Sequence, residues 1–278
     1  MSARRRAVVQ IGMTIRGLLL DVEGVLVADK RYQAIPGAVD FIRTLRRRNL
    51  PFRLITNNTT DSRPALLEKL TAAGFDLTID ELHTCTGAAV QRLRELKARR
   101  CLVLGVQALR QIFRDGGFEV VEDSDADAVV VGLDTELTYE RLRLACDAVG
   151  RRGAAFIALH RNRSFPDAQG RISPSVGPIV EAIRYATLVE PTVVGKPSPD
   201  YFGQALAAVD RPVESVLVVS DDPFSDLAGA KRMGMQAAFV LSGKYPTAGI
   251  LERIAPSERP DVTVERIGDL LSAGFGGL

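Results

Sequence analysis

Tryptophan is absent from the 278 residues, histidine occurs twice and cysteine three times. His83 and His160 are too few for a His-rich zinc centre. Cys85, Cys101 and Cys146 are odd in number and far apart, so they form neither a disulfide framework nor a C-x-x-C metal site. They read as reduced, partly buried thiols of a cytoplasmic protein, and any metal is expected to be a hard cation held by carboxylates. An excess of one charge is also missing. With 36 Lys and Arg against 34 Asp and Glu, the net charge of +2 gives no bulk electrostatic reason for a nucleic-acid or membrane partner. Long apolar runs are lacking too: the patch 7–11 behind Arg4, Arg5 and Arg6 is too short and interrupted to span a bilayer, has no small-residue cleavage site, and is read as a loose arm. No G-x-G-x-x-G follows any strand-like run, which disfavours a nicotinamide-binding Rossmann enzyme. Repeats and low-complexity tracts are absent as well.

What is present is an ordinary globular composition, long enough for one or two domains, with strand-like apolar runs alternating with amphipathic stretches. Strands are expected at 17–20, 52–55, 101–104, 118–121, 128–131, 155–159, 192–194 and 216–219, with 237–241 closing the series. Helices are expected from Pro36 on, with Val39, Ile42 and Leu45 on one face, and at 64–73, 88–97, 108–115, 139–149, 179–186, 199–208 and 225–233. Such alternation predicts α/β architecture with a parallel sheet. The stretch 161–178, rich in Pro, Gly, Ser and Arg, is expected to be a long functional loop. Joints near 85 and 180 make the middle block an insertion, giving a discontinuous outer domain of 1–85 and 181–278 around an inserted domain of 86–180.

Polar groups recur where apolar runs end. The first run delivers Asp21 into a turn with Glu23 and Gly24, at the carboxyl end of a buried strand, where open α/β sheets bind ligands. Taken alone, this also fits a strand followed by an acidic turn. The second run ends in Thr56, then Asn57 and Asn58. A hydroxyl with turn N–H groups before a helix makes a phosphate cradle, and equally a simple helix cap. Lys196 follows another run in V-V-G-K-P-S-P and can neutralise a phosphoryl oxygen. Finally, Asp221 and Asp222 follow a strand and Asp226 lies one helical turn later, so one divalent cation could reach two of the three.

The segments D-V-E-G-V-L, T-N-N-T-T-D-S-R, V-V-G-K-P-S-P and S-D-D-P-F-S-D-L-A-G-A resemble the four motifs of the haloacid dehalogenase (HAD) superfamily, specifically its type IIA phosphatases, in which a large α/β cap follows the second motif. The likeness runs from about Gly17 to Tyr245, and V-G-L-D-T-E-L-T-Y-E-R-L resembles that group's cap. V-G-P-I-V-E-A-I-R-Y-A-T, G-A-K-R-M-G-M and S-G-K-Y are most similar to the branch of phospholysine phosphohistidine inorganic pyrophosphate phosphatases and their HAD-domain relatives. The resemblance implies a Rossmann-like parallel-sheet core with an inserted α/β cap. It implies Asp21 as nucleophile, Thr56 and Lys196 as phosphoryl holders, and Mg²⁺ held by Asp21, Asp221 and the backbone carbonyl of Glu23, with Asp226 supporting the metal shell. Two departures stand out. Glu23 occupies the position of the usual acid and base Asp, adding a methylene whose misplacement can cost about a hundredfold, and Ser220 replaces a common Gly.

The expected activity is Mg²⁺-dependent hydrolysis of a small phosphorylated substrate through an aspartyl-phosphate, with Glu23 as proton carrier. Cap loops should read the leaving group, and His160, Arg161, Asn162 and Arg163 are the candidates for that role. A homodimer is an allowed assembly. The rival is a catalytically weakened relative that binds metal and phosphate as a regulator, for which Glu23 is the reason.

Overall fold

Gly17–Asp21 (β1) is buried along its whole length, as a strand covered on both faces must be. The computed structural model describes residues 14–28, 32–166 and 171–271, so the basic arm at Arg4 to Arg6 lies outside the described residues. After β1 come β2 (Val27–Ala28), β3 (Gln33–Ala34), α1 (Ala38–Arg47), β4 (Phe52–Thr56) and α2 (Arg63–Ala72). The chain continues through β5 (Leu82–Thr84), α3 (Cys85–Glu95), β6 (Arg100–Leu104), α4 (Gln107–Asp115), β7 (Glu119–Val121) and β8 (Ala128–Val131). Then follow α5 (Tyr139–Gly150), β9 (Ala155–Ala158), β10 (Ser164–Pro166), β11 (Ile172–Pro174), α6 (Val176–Thr187) and β12 (Thr192–Val193). The order is completed by α7 (Pro199–Val209), β13 (Val216–Ser220), α8 (Ala228–Arg232), β14 (Gln236–Val240) and β15 (Val262–Val264). Among the described residues no helix is long and apolar enough to cross a membrane.

Contacts divide the chain into two units. The first comprises the described residues up to Ile55, Leu67–Leu82 and those from Phe202 on; the second comprises Thr56–Leu66 and His83–Tyr201. The first carries a six-stranded sheet in the order β15-β14-β13-β1-β4-β5, with β1 parallel to both β13 and β4. Winding runs from β1 through β4 to β5 on one side and from β13 through β14 to β15 on the other. It therefore reverses at β1, and the carboxyl ends of strands at such a reversal leave a crevice open to ligands. Leu18, Leu19 and Leu20 are fully buried, so truncation of any of them to Ala falls in the class that costs about 2–5 kcal/mol.

The second unit has its own parallel sheet, β12-β9-β8-β6-β7. Val129 and Val131 of β8 pack with Ala145 and Ala148 of α5 and with Val176, Val180 and Ile183 of α6 in one core cluster. The boundary expected after residue 180 therefore falls inside α6, whose apolar face belongs to this core, and β12 beyond it pairs with β9. Three further differences have local causes. The expected loop 161–178 holds the antiparallel pair β10 and β11 and the first turn of α6. The helix expected at 225–233 opens as a π-helical turn, Pro223–Leu227, before α8. The series does not close at β14, because the three-residue β15 adds to that edge in parallel.

Candidate active site

In the first unit, Leu20 is in register with Val219, so Asp21 and Ser220 leave neighbouring strands side by side. Asp21 is 7 % exposed, and its Oδ1 accepts the N–H of Val22 at 2.8 Å. The Ser220 hydroxyl, fully buried, stands 3.2 Å from Asp21 Oδ2 and 2.8 Å from Asp226 Oδ2, and accepts the N–H of Asp222 at 3.1 Å. It carries one proton and can satisfy one carboxylate at a time. The serine at a common glycine position thus adds a donor between two of the predicted site residues.

Asp221 and Asp222 look alike in the sequence and are used differently. Asp222 caps the π-helical turn: its Oδ1 accepts from the N–H groups of Phe224 and Ser225 at 3.1 and 3.0 Å, while Oδ2 meets Lys244 Nζ at 2.8 Å. Asp221 Oδ2 accepts the N–H of Lys244 at 2.7 Å. Its carboxylate lies in a slot between Gly24 and Gly243, where a Cβ on either glycine would collide with it. Gly24 also needs its freedom because its φ is +80°. Burial lowers the affinity of Lys244 for its proton, but the charge and hydrogen bond of Asp222, with Asp221 behind, outweigh that and hold the ammonium above the usual lysine range. Glu23 is half-buried in the same turn, where its backbone bridges to Val27.

Four buried or nearly buried carboxylates in one corner repel unless cations or protons offset them. The donors are oxygens only, which suits a hard divalent cation. Among the described residues no three His, Cys, Asp or Glu side chains form a ready cage. A cation here would be held by one or two carboxylates, a carbonyl, waters and substrate oxygens, the way Mg²⁺ is bound.

In the second unit, the turn that follows β4 is tied to Lys196 by a reciprocal pair of hydrogen bonds. Asn57 Nδ2 donates to the carbonyl of Lys196 at 3.0 Å and Asn57 Oδ1 accepts its N–H at 2.9 Å. Gly195 keeps this approach open, since a Cβ there would stand 2.5 Å from Asn57 Oδ1 and 2.8 Å from Cys85 Cβ. Lys196 itself is 2 % exposed. Thr56 Oγ accepts the N–H of Asn58 at 3.0 Å. Asn58 Oδ1 accepts the N–H groups of Thr60 and Asp61, each at 2.9 Å, so its side chain shapes the turn. Thr56 is therefore bonded to Asn58 and Asn57 to Lys196 within one short turn, and both Asn side chains bond protein backbone.

The expected leaving-group readers are divided. His160 is buried, with Nδ1 accepting the N–H of Asn162 at 3.2 Å; Arg161 is exposed and ion-paired with Glu181; Arg163 is exposed. Ser220 stood out only as a departure from the family pattern, and Gly243 and Lys244 only within S-G-K-Y; Tyr201 gave no signal, and its hydroxyl partners Thr56 and His83 lie far earlier in the chain.

Two family models match the chain: a haloacid dehalogenase-like hydrolase model over residues 18–119 and a HAD-hydrolase-like model over residues 193–270. Human haloacid dehalogenase-like hydrolase domain-containing protein 2 is 33% identical over 87% of this chain and 90% of its own length. The chain belongs to the haloacid dehalogenase-like hydrolases. Human phospholysine phosphohistidine inorganic pyrophosphate phosphatase is 32% identical over 83% of the chain and 84% of its own. The solved p-nitrophenyl phosphatase of Archaeoglobus fulgidus superposes with a TM-score of 0.84 at 29% identity, covering 94% of this chain and all of that one. Parallel-sheet core, type IIA phosphatase relatives and four matching motifs agree, and the chain is a phosphatase of the HAD type.

Proposed function

We propose that this HAD phosphatase hydrolyses small phosphorylated molecules through an aspartyl-phosphate on Asp21, with Mg²⁺ as cofactor. The observation that carries the reading is the corner at the β1–β13 reversal: a buried Asp21 fixed by Val22 N–H, next to the Ser220–Asp226 contact. Asp21, Asp221 and the carbonyl of Glu23 would hold the cation, with Asp226 in support. When bound, it supplies positive charge that offsets the phosphoryl oxygens. Asp21 forms the new bond to phosphorus as the bond to the leaving oxygen breaks, and Glu23 gives that oxygen a proton. Glu23, now ionised, takes a proton from water as the water attacks phosphorus, releasing phosphate and restoring Asp21. Thr56 and Lys196 meet the phosphoryl oxygens, while Asn57 acts by holding the Lys196 backbone. The inserted block serves as cap, with His160, Arg161, Asn162 and Arg163 as the candidates to read the leaving group. Free thiols at Cys85, Cys101 and Cys146 support a cytoplasmic setting.

Glu23 separates this reading from that of a regulator with little turnover. Glu23→Asp should raise kcat, because the shorter acid restores the usual proton path. Glu23→Gln should slow alkyl phosphates by about 10²–10⁴ and p-nitrophenyl phosphate far less, since a good leaving group needs little protonation. Steady-state rates of the three proteins on both substrate classes decide it. Equal rates throughout would remove Glu23 as acid and base, and a wild type that binds Mg²⁺ and phosphate without turnover would favour the regulator.

A further inference from the structure

Tyr201 lies in the first turn of α7, 1 % exposed, beside Phe202 and Ala205, which are also buried. Phenylalanine would fill that space as well, so the hydroxyl needs a reason of its own. Its hydroxyl meets three backbone groups. It accepts the N–H of Thr56 at 3.0 Å and stands 2.6 Å from the carbonyl of His83 and 3.1 Å from that of Thr56. With one proton to give, the short contact to His83 takes the donor role. The ring packs on the His83 imidazole, with centroids 4.3 Å apart. Thr56 is the last residue of β4, where the chain leaves the sheet and enters the turn that bonds Asn58 and, through Asn57, Lys196. The phenol therefore grips the peptide from which the whole phosphate-side group hangs, across 145 positions of sequence.

We propose that Tyr201 is a positioning residue for phosphate recognition: by fixing the N–H of Thr56 it sets the direction of the Thr56 hydroxyl and the turn that follows. This rests on the phosphatase reading, in which Thr56 meets the phosphoryl group. Without the phenol, the Thr56 N–H loses this hydrogen bond and the peptide is held less firmly, whereas Asn57 and Lys196 keep their mutual bonds. The effect should fall on phosphate affinity more than on folding.

The test compares wild type, Tyr201→Phe and Val149→Ala. The last is a truncation on α5, in the core cluster of the second unit, whose members include none of the phosphate-side residues. Inorganic phosphate is the probe, as competitive inhibitor of p-nitrophenyl phosphate hydrolysis and by direct calorimetric titration, with hydrogen exchange of the peptide covering residues 54–62. Tyr201→Phe is expected to speed exchange there, raise the inhibition constant of phosphate on the order of tenfold and lower kcat/KM by a similar factor, as loss of one buried hydrogen bond should. Val149→Ala should lower the melting temperature and leave the phosphate constant unchanged. An unchanged constant in Tyr201→Phe, with wild type binding phosphate, would overturn the positioning role and leave the phosphatase reading standing. An equal rise in both variants would also overturn it, since general loosening would be the cause. A wild type that neither hydrolyses the ester nor binds phosphate would overturn the phosphatase reading and this role with it.

Discussion

Asp21→Asn will lose Mg²⁺-dependent hydrolysis of p-nitrophenyl phosphate by a factor on the order of 10⁴ or more, the scale seen when a covalent nucleophile is removed, while melting close to wild type. Asparagine has nearly the same shape. Its carbonyl oxygen can still accept from Val22 N–H, and its NH₂ can donate to the Ser220 hydroxyl in place of the bond that Asp21 Oδ2 now accepts. Replacing one charge in a corner that also holds Asp221, Asp222 and Asp226 relieves repulsion, which favours the fold. What the proposed mechanism loses is the anionic oxygen that attacks phosphorus. Rates at saturating Mg²⁺, set beside a thermal melt, check both halves. Retention of a substantial fraction of wild-type turnover would mean that the bond to phosphorus is made by another group.

Gly243→Ala should act on the metal instead. The added Cβ would stand 2.6 Å from Asp221 Cγ and 2.7 Å from its Cβ, so either the carboxylate swings away or the loop carrying Lys244 shifts. Both break the Lys244 N–H bond that fixes Asp221 Oδ2. Overpacking of this kind costs about 1–3 kcal/mol of stability. The displaced carboxylate should also raise the Mg²⁺ concentration needed for half-maximal activity by roughly tenfold or more, in line with one lost ligand. Asp221→Asn should raise the same requirement without the loss of stability. A Mg²⁺ titration on both variants checks this, and an unchanged midpoint in both would remove Asp221 from the metal site.

Much of this site was legible because its residues stand where apolar runs stop. Leu18 to Leu20 before Asp21 and Val216 to Val219 before Ser220 are buried on both faces, and such strands read as continuous apolar segments. Other features hid behind composition. The pair β10 and β11 sits in a Pro- and Gly-rich stretch that reads as loop, and β15, three residues long, is too short for any period to register. Asp221 and Asp222 could not be told apart, since an aspartate that caps a helical turn and one whose carboxylate is held by a distant backbone N–H have the same local sequence. What separates them is Lys244, more than twenty residues on, pairing its ammonium with one and its N–H with the other. Tyr201 gave no signal at all, because an aromatic in the first turn of an apolar helix reads as core and its hydroxyl partners are backbone groups far earlier in the chain.

The proposed covalent step can be read at a single residue. Wild-type protein mixed with p-nitrophenyl phosphate and Mg²⁺, quenched in acid within milliseconds and reduced with borohydride, will yield homoserine in place of Asp21 in the peptide that carries β1, because an acyl phosphate is reduced to the alcohol and a free carboxylate is not. Unaltered Asp21 at every quench time, while p-nitrophenol is released at the same rate in that sample, would contradict an aspartyl-phosphate at this position.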